Sequence, residues 1–240
     1  MKKIVGIFAL FLLALSALTP AFAQEKPAEY KAFKRLTWAE MQNIAGEKKL
    51  SHRIFYTPSK GDAPAWFDAV KRGDIETVKK MVAKGQDIEV KDTGALNQTA
   101  LGWAAFIGYL DIVEFLVEKG ANLYATDKGD VQHAFKSAVL GGNMSVIHYL
   151  YPLMKDKINL NAQDERDDET ALMVAAWNNR IETVRFLIAH GADVNIVTKK
   201  PGVWTYDNNA YSYAVKQGNK EIVAILTDAG AVNHKTGKAD

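Results

Sequence analysis

With 240 residues, 48% of them hydrophobic and 24% charged, the chain has the composition of a globular protein of one or two domains rather than a disordered or fibrous one. It contains no cysteine, which excludes disulfide frameworks, thiolate metal sites and thiol nucleophiles together. Setting Lys2 and Lys3 aside leaves 28 basic against 28 acidic residues, a balance that offers no electrostatic footprint for nucleic acid or for an anionic membrane.

From the N-terminus, Lys2-Lys3, a nearly wholly apolar stretch from Ile4 to Leu18, and Ala21-Phe22-Ala23 follow one another. Charged, apolar, then small-x-small is the order of a secretory signal peptide. The apolar run of about 15 residues falls short of the roughly 20 that cross a bilayer as a helix. Pro20 interrupts the segment, and no cysteine follows to carry a lipid. The expectation is a signal peptide over residues 1–23, cleaved after Ala23, and a mature chain in a bacterial periplasm with no membrane attachment. An exported protein without cysteine avoids accidental disulfides there.

Residues 24–63 read as an N-terminal extension. Thr37-Trp-Ala-Glu40 spells a capping box, in which the Thr hydroxyl and the Glu carboxylate satisfy free N–H groups at a helix start. Trp38, Met41, Ile44 and Ala45 then recur at helical spacing to about Lys49. This helix is expected to cap the N-terminal end of the fold that follows. Residues 51–63, with Pro58 and Gly61, read as a loop.

Beyond residue 63 the chain repeats itself. Gly73-Asp-Ile-Glu-Thr-Val78, Gly108-Tyr-Leu-Asp-Ile-Val113, Gly142-Asn-Met-Ser-Val-Ile147, Asn179-Arg-Ile-Glu-Thr-Val184 and Gly218-Asn-Lys-Glu-Ile-Val223 superpose without gaps, with starts 35, 34, 37 and 39 residues apart. A second apolar pair follows each, and Gly85, Gly120, Gly191 and Gly230 close four of the five, suited to a left-handed helix C-cap. Upstream of each start stands a short helix with a small-residue pair, such as Ala104-Ala105 and Ala175-Ala176. Two short helices and a turn, repeated at about this period, are a solenoid signature.

The pattern resembles the ankyrin repeat family. Gly120-Ala-Asn-Leu-Tyr-Ala125 and Gly191-Ala-Asp-Val-Asn195 are close to that family's closing motif, and Thr99-Ala-Leu-Gly-Trp-Ala104 and Thr170-Ala-Leu-Met-Val-Ala175 partly match its opening one. The resemblance covers residues 64–233 and implies an all-α repeat solenoid of about five ankyrin repeats with β-hairpin turns, an N-terminal helical cap and a flexible tail at 234–240. The Pro and His of the opening motif are absent from every copy. Pro152 in the third copy is expected to end its second helix early. Leu101, Ala104, Ile112, Val113 and Leu116 should form the stacked core, with Lys71, Lys79 and Lys80 at one end, and Lys216, Lys220 and Glu221 at the other, facing solvent.

No catalytic motif is present: no Gly-x-Ser-x-Gly elbow, no phosphate-cradling loop, no His-Glu-x-x-His and no dinucleotide glycine pattern. The five histidines stand without ligand spacing, and the acidic run Asp164–Glu169 lacks the spacing and central glycine of a calcium loop, so it reads as a solvated turn. No cofactor, no metal and no enzymatic activity are expected.

In the family, partner contact uses the two positions before the register glycine and the hairpin tips. Carried over, this marks Phe106, Ile107, Leu140, Trp177 and Asn178 as an apolar strip with basic residues at both ends, the arrangement of a protein-binding surface. The alternative is that the N-terminal segment or a neighbouring helix folds over it. Trp204 and Tyr206, on the long fourth hairpin at 198–206, are candidate hot spots. The functional expectation is a periplasmic module, monomeric when free, that docks on and inhibits an exported enzyme such as a peptidoglycan peptidase or toxin, as self-protection proteins of this architecture do. The alternative is a scaffold or chaperone for a stress-defence enzyme such as catalase.

Overall fold

The computed structural model describes residues 34–50, 57–129 and 133–238. The expected signal peptide, its cleavage point and the polar lead-in before residue 34 lie outside the described residues, as do Asp130 and the last two residues. Helix α1 spans Trp38–Glu47. Five helix pairs follow: α2 (Pro64–Arg72) with α3 (Ile75–Ala83), α4 (Ala100–Ile107) with α5 (Leu110–Glu118), α6 (Ala134–Gly141) with α7 (Met144–Met154), α8 (Ala171–Trp177) with α9 (Ile181–Ala189), and α10 (Ala210–Lys216) with α11 (Lys220–Asp228). Each pair is one repeat. The even-numbered inner helices pack on one another, and each outer helix packs on its own inner partner and touches the next outer one.

The sequence explains why such short helices hold. Seven to eleven residues are too few for a stable isolated helix in water, so burial between repeats supplies the stability. Leu101, Ala104, Ile112, Val113 and Leu116 are all buried, as the repeat register requires. Small residues set the spacing: a Cβ on Gly141 would stand 2.0 Å from the Phe106 carbonyl oxygen, so α6 approaches α4 only because that position is glycine.

Four inner helices begin on a side-chain cap. Thr99, His133, Thr170 and Asn209 each accept the backbone N–H three residues on. The helix ends turn on left-handed residues. Gly73, Gly108 and Gly142 have φ of 74°, 94° and 75°, and Asn179 takes the same place at 54° in the copy without glycine. The residue after that turn ties each repeat to the one before. Tyr109 donates its hydroxyl to the Lys71 carbonyl (3.3 Å), Asn143 its amide to Phe106 (2.8 Å), Arg180 its Nε to Leu140 (3.2 Å) and Asn219 its amide to Ala176 (3.0 Å). These four bonds join neighbouring repeats in a chain that lacks the family's opening His.

Three expectations need correction. Pro152 does not shorten its helix: α7 is the longest of the eleven described, with Pro152 inside its last turn. Buried Leu150 and Met154 hold that turn against the array, and Lys155 N–H to the Tyr151 carbonyl (2.8 Å) closes it. The hairpin turns contain no strands among the described residues; the first carries a single bridge, Asp92 with Gln98, and another, Asn233 with Lys238, follows the last repeat. The third concerns α1. Its capping box forms as expected, Thr37 and Glu40 bonding reciprocally. The helix does not cap the end of the stack but runs along the C-terminal ends of the inner helices. Arg35 and the Leu36 N–H reach Asp68 in α2, Arg72 grips Glu40, Lys48 lies over the Tyr109 ring (4.9 Å), and Arg180 of the fourth repeat donates to the Lys49 carbonyl (2.8 Å). Leu36, Met41, Ala45 and Leu50 are buried in the common core.

Candidate functional site

The strip expected along the ends of the inner helices divides into a covered part and an open part. Phe106 and Ile107 have no solvent-exposed surface, and Leu140 has 3%. All eight residues of α4 and all eight of α6 are buried. These three residues are therefore core, and their expected role in partner contact is withdrawn. A helix buried all round is covered on every side: α4 packs against α2 and α6, and the 34–50 segment passes over the ends of the inner helices.

The basic flank expected at the first repeat is also internal. Lys71 is fully buried, its ammonium 2.9 Å from Asp92, 2.6 Å from the Ser59 hydroxyl and 4.0 Å above the Trp103 ring. Asp92 in turn accepts the Trp103 indole N–H (3.2 Å) and the backbone N–H groups of Lys60 and Gly94. Burial pulls the Lys71 ammonium below its usual range, opposed by the neighbouring Asp92 charge. Every group in this cluster has a partner, so it is a structural ion pair. Arg72, beside it, is committed to Glu40 and the Lys34 carbonyl.

The fourth and fifth repeats are different. Trp177, the last residue of α8, is half-buried; its ring lies 5.1 Å from Trp204 and 5.4 Å from Tyr213 of α10. Trp204 and Tyr213 are near-parallel at 6.0 Å. Trp204 keeps 53% of its surface exposed and Tyr206 keeps 55%. Tyr213 is buried beneath them, so the cluster has an internal floor and an open rim. Asn178 contributes less than expected: its amide donates to the Val174 carbonyl (2.8 Å) and closes its own helix.

The long fourth turn that carries Trp204 is internally braced. Buried Thr198 donates its hydroxyl to the Thr205 carbonyl, with the Asn208 carbonyl also within reach, and accepts the Asn208 N–H. The Asn208 amide donates to the carbonyls of Thr205 and Tyr206 (2.8 and 2.9 Å). The turn is also bound to the third one: Thr205 donates to the Asp167 carbonyl, and the Lys199 and Lys200 N–H groups converge on the Asp168 carboxylate. Two exposed aromatic rings thus stand on a platform whose backbone bonds are satisfied, which lowers the entropy lost when a partner orders them.

The acidic run is not a solvated turn. Asp164, Asp167 and Glu169 are buried, with Asp164 accepting three backbone N–H groups and the Lys136 ammonium (2.9 Å). It organises the third turn as Asp92 organises the first. Among the described residues no group of three or more His, Cys, Asp or Glu side chains is placed to hold a metal ion, and no described helix is long and apolar enough to cross a membrane.

Of the predicted residues, the structure brings Trp177 and Trp204 together, leaves Tyr206 exposed nearby, and buries Phe106, Ile107 and Leu140. Sequence reasoning missed Tyr213. A signal was present: aligned from the capping residues Thr170 and Asn209, Tyr213 occupies the slot of Val174, an internal position enlarged to an aromatic ring. Arg180 was missed as well. Its position after the register turn carries Tyr or Asn in neighbouring copies, and only the tertiary contact with Lys49 reveals its second role.

A family model described as ankyrin repeats, three copies, matches residues 66–164 and again 135–237. Among curated proteins the chain is 36% identical over 171 residues to the putative palmitoyltransferase ZDHHC13 of Danio rerio, and 31% identical over 157 residues to palmitoyltransferase AKR1 of Lachancea kluyveri. It is 29% identical over 174 residues to the ankyrin repeat and KH domain-containing protein mask-1 of Caenorhabditis elegans. These alignments take 69%, 65% and 72% of this chain but only 24%, 20% and 6% of those proteins. The chain spans a quarter or less of each, and the activities in those names are those of the much longer relatives.

Proposed function

Because the chain belongs to the ankyrin repeat family, it is a protein-binding module, and we propose that it is an exported one that docks on a periplasmic enzyme and restrains it by occlusion. The observation that carries this reading is the braced aromatic rim of the last two repeats. Trp204 and Tyr206 are held exposed on a braced turn, Trp204 backed by Trp177 and Tyr213, next to a stretch of the same face that is already covered. Large rigid aromatics with a buried backing are the usual anchors of protein interfaces. Export is supported by Lys2-Lys3, the apolar stretch and Ala21-Phe22-Ala23, and occlusion by a solenoid with no catalytic motif in its sequence. An exported peptidase or toxin is the partner class that such a module would hold in check for self-protection.

The test is capture from periplasmic extract with the mature chain, in parallel with its Trp204→Ala variant, followed by assay of the captured enzyme. Loss of a specific hydrolase from the variant's eluate, and inhibition of that hydrolase by the wild-type chain, support the proposal. A captured enzyme whose activity rises on binding overturns restraint in favour of a supporting scaffold. Intact-mass analysis of the exported protein should give a chain beginning at Gln24, and retained Met1 would refute export by cleavage.

A further inference from the structure

The segment over the inner-helix ends is held unlike the rest of the fold. Helix α1 buries only Met41 and Ala45, one narrow i, i+4 stripe, whereas α4 buries all eight of its residues. Trp38, in its first turn, is half exposed. A ten-residue helix does not persist alone, so α1 exists because the array supplies three polar receptors along its path. The Arg72 guanidinium takes the carboxylate of the first helical turn: Nη1 is 2.9 Å from Glu40, and Nη2 donates to the Lys34 carbonyl at 3.1 Å. Asp68 accepts the Leu36 N–H (2.9 Å) and pairs with Arg35, just ahead of the helix. At the far end Arg180 donates to the Lys49 carbonyl (2.8 Å), where a helix C-terminus leaves carbonyls unsatisfied.

We propose that residues 34–50 are a replaceable ligand of their own array. The path from Asp68 and Arg72 to Arg180 is a receptor for a short amphipathic helix that carries a carboxylate in its first turn, directly ahead of an apolar i, i+4 pair. A partner helix of that chemistry displaces α1 from it.

Three features favour exchange for a like helix over simple release. Removing α1 and its lead-in takes Glu40 from Arg72 and Arg35 from the buried Asp68, and uncovers the side on which Met41 and Ala45 are buried, so the empty path is unfavourable unless refilled. The receptor groups are carried by the array itself: Asp68 and Arg72 belong to α2, and Arg180 is tied to the Leu140 carbonyl. Four residues of the segment, Leu36, Met41, Ala45 and Leu50, reach the core, and its Glu40 is held by the solvent-accessible Arg72 and Lys34; with so few anchors it is the kind of segment that opens locally while the array remains folded. The proposal is independent of which protein docks at the aromatic rim.

The probe is a fluorescein-labelled peptide with the sequence of residues 34–50, titrated by anisotropy against the full mature chain. Met41→Asp/Ala45→Asp in the chain loosens the resident helix and should tighten peptide binding at least 10-fold over wild type. Adding Arg72→Glu should remove that gain, and a peptide with Glu40→Lys should not bind. Equal affinity for the wild-type and loosened chains overturns the proposal. A loosened chain that forms a dimer by light scattering also overturns it, in favour of exchange between copies. A second measurement needs no variant: hydrogen exchange of the wild-type chain should show amides of 38–47 exchanging at least 10-fold faster than those of α4. Exchange of both at one common rate would make α1 part of the cooperative core and overturn the proposal.

Discussion

The inner helices of the second and third repeats and those of the fourth and fifth follow one sequence pattern yet present opposite surfaces. In α4 and α6 every residue is buried; at the end of α8 and on the turn beside α10, Trp177, Trp204 and Tyr206 reach solvent. The difference is not in the repeat. Phe106 and Trp177 lie at matching ends of inner helices, and both are aromatic. Phe106 is packed against Trp103 and the close-set Gly141 of the next inner helix, whereas Trp177 packs on Tyr213 and Trp204 beyond the point where the segment 34–50 ends at Arg180. A family register therefore tells which positions face the inner side, but the packing around each copy decides which of them meet solvent.

The largest effect that would break this comparison is in the covered half. Phe106→Ala should cost about 3–5 kcal/mol of folding stability, because it opens a cavity around a side chain packed edge-on against Trp103. Chemical denaturation reads this directly, and a near-neutral result would mean Phe106 is exposed after all. In the open half, Trp204→Ala should weaken partner binding by about 2–4 kcal/mol while moving the melting curve little, since more than half of that ring is already in water. Trp177→Ala should lower both, as its ring packs on Tyr213 as well as Trp204. Titration calorimetry paired with thermal melts of the two variants distinguishes rim from floor.

A smaller effect concerns acid. His133 caps α6 by accepting the Lys136 N–H at Nδ1 (3.1 Å), a bond only the neutral ring can make; burial and then the nearby Lys136 charge push its pKa down to about 4. The unfolded chain binds this proton more readily than the folded one. Stability from the cap is thus complete above the ordinary His range near 6.5 and declines as pH falls from there toward about 4, by at most about 3 kcal/mol. His133→Thr, which keeps a capping acceptor without a titrating ring, should flatten that part of the stability–pH curve; an unchanged curve would refute the assignment. The smallest effect sits on the outer helices. Arg185 and Glu221 pair at 3.1 Å but are both more than half exposed, so Arg185→Ala should shift stability by less than about 0.5 kcal/mol. A larger loss in the same denaturation experiment would show that the outer face is more coupled than the inner one.

The repeat was legible in the residues alone: five registered copies, the left-handed closing glycines at Gly85, Gly120, Gly191 and Gly230, and the core of Leu101, Ile112, Val113 and Leu116. These are local or nearest-neighbour properties, and periodicity and backbone chemistry report them directly. The capping box at Thr37 and the helix after it were legible for the same reason. Where that helix lies was not, because its position depends on contacts between residues as far apart as Lys49 and Arg180, which no period encodes. The same holds for Lys71 and Asp164: charged residues read as solvent-facing are internal, each neutralised by a partner more than twenty residues away. Long-range packing makes Phe106, Ile107 and Leu140 core and brings Trp177, Trp204 and Tyr213 together. Burial belongs to the whole path of the chain, and a repeat fixes only the part of that path it repeats.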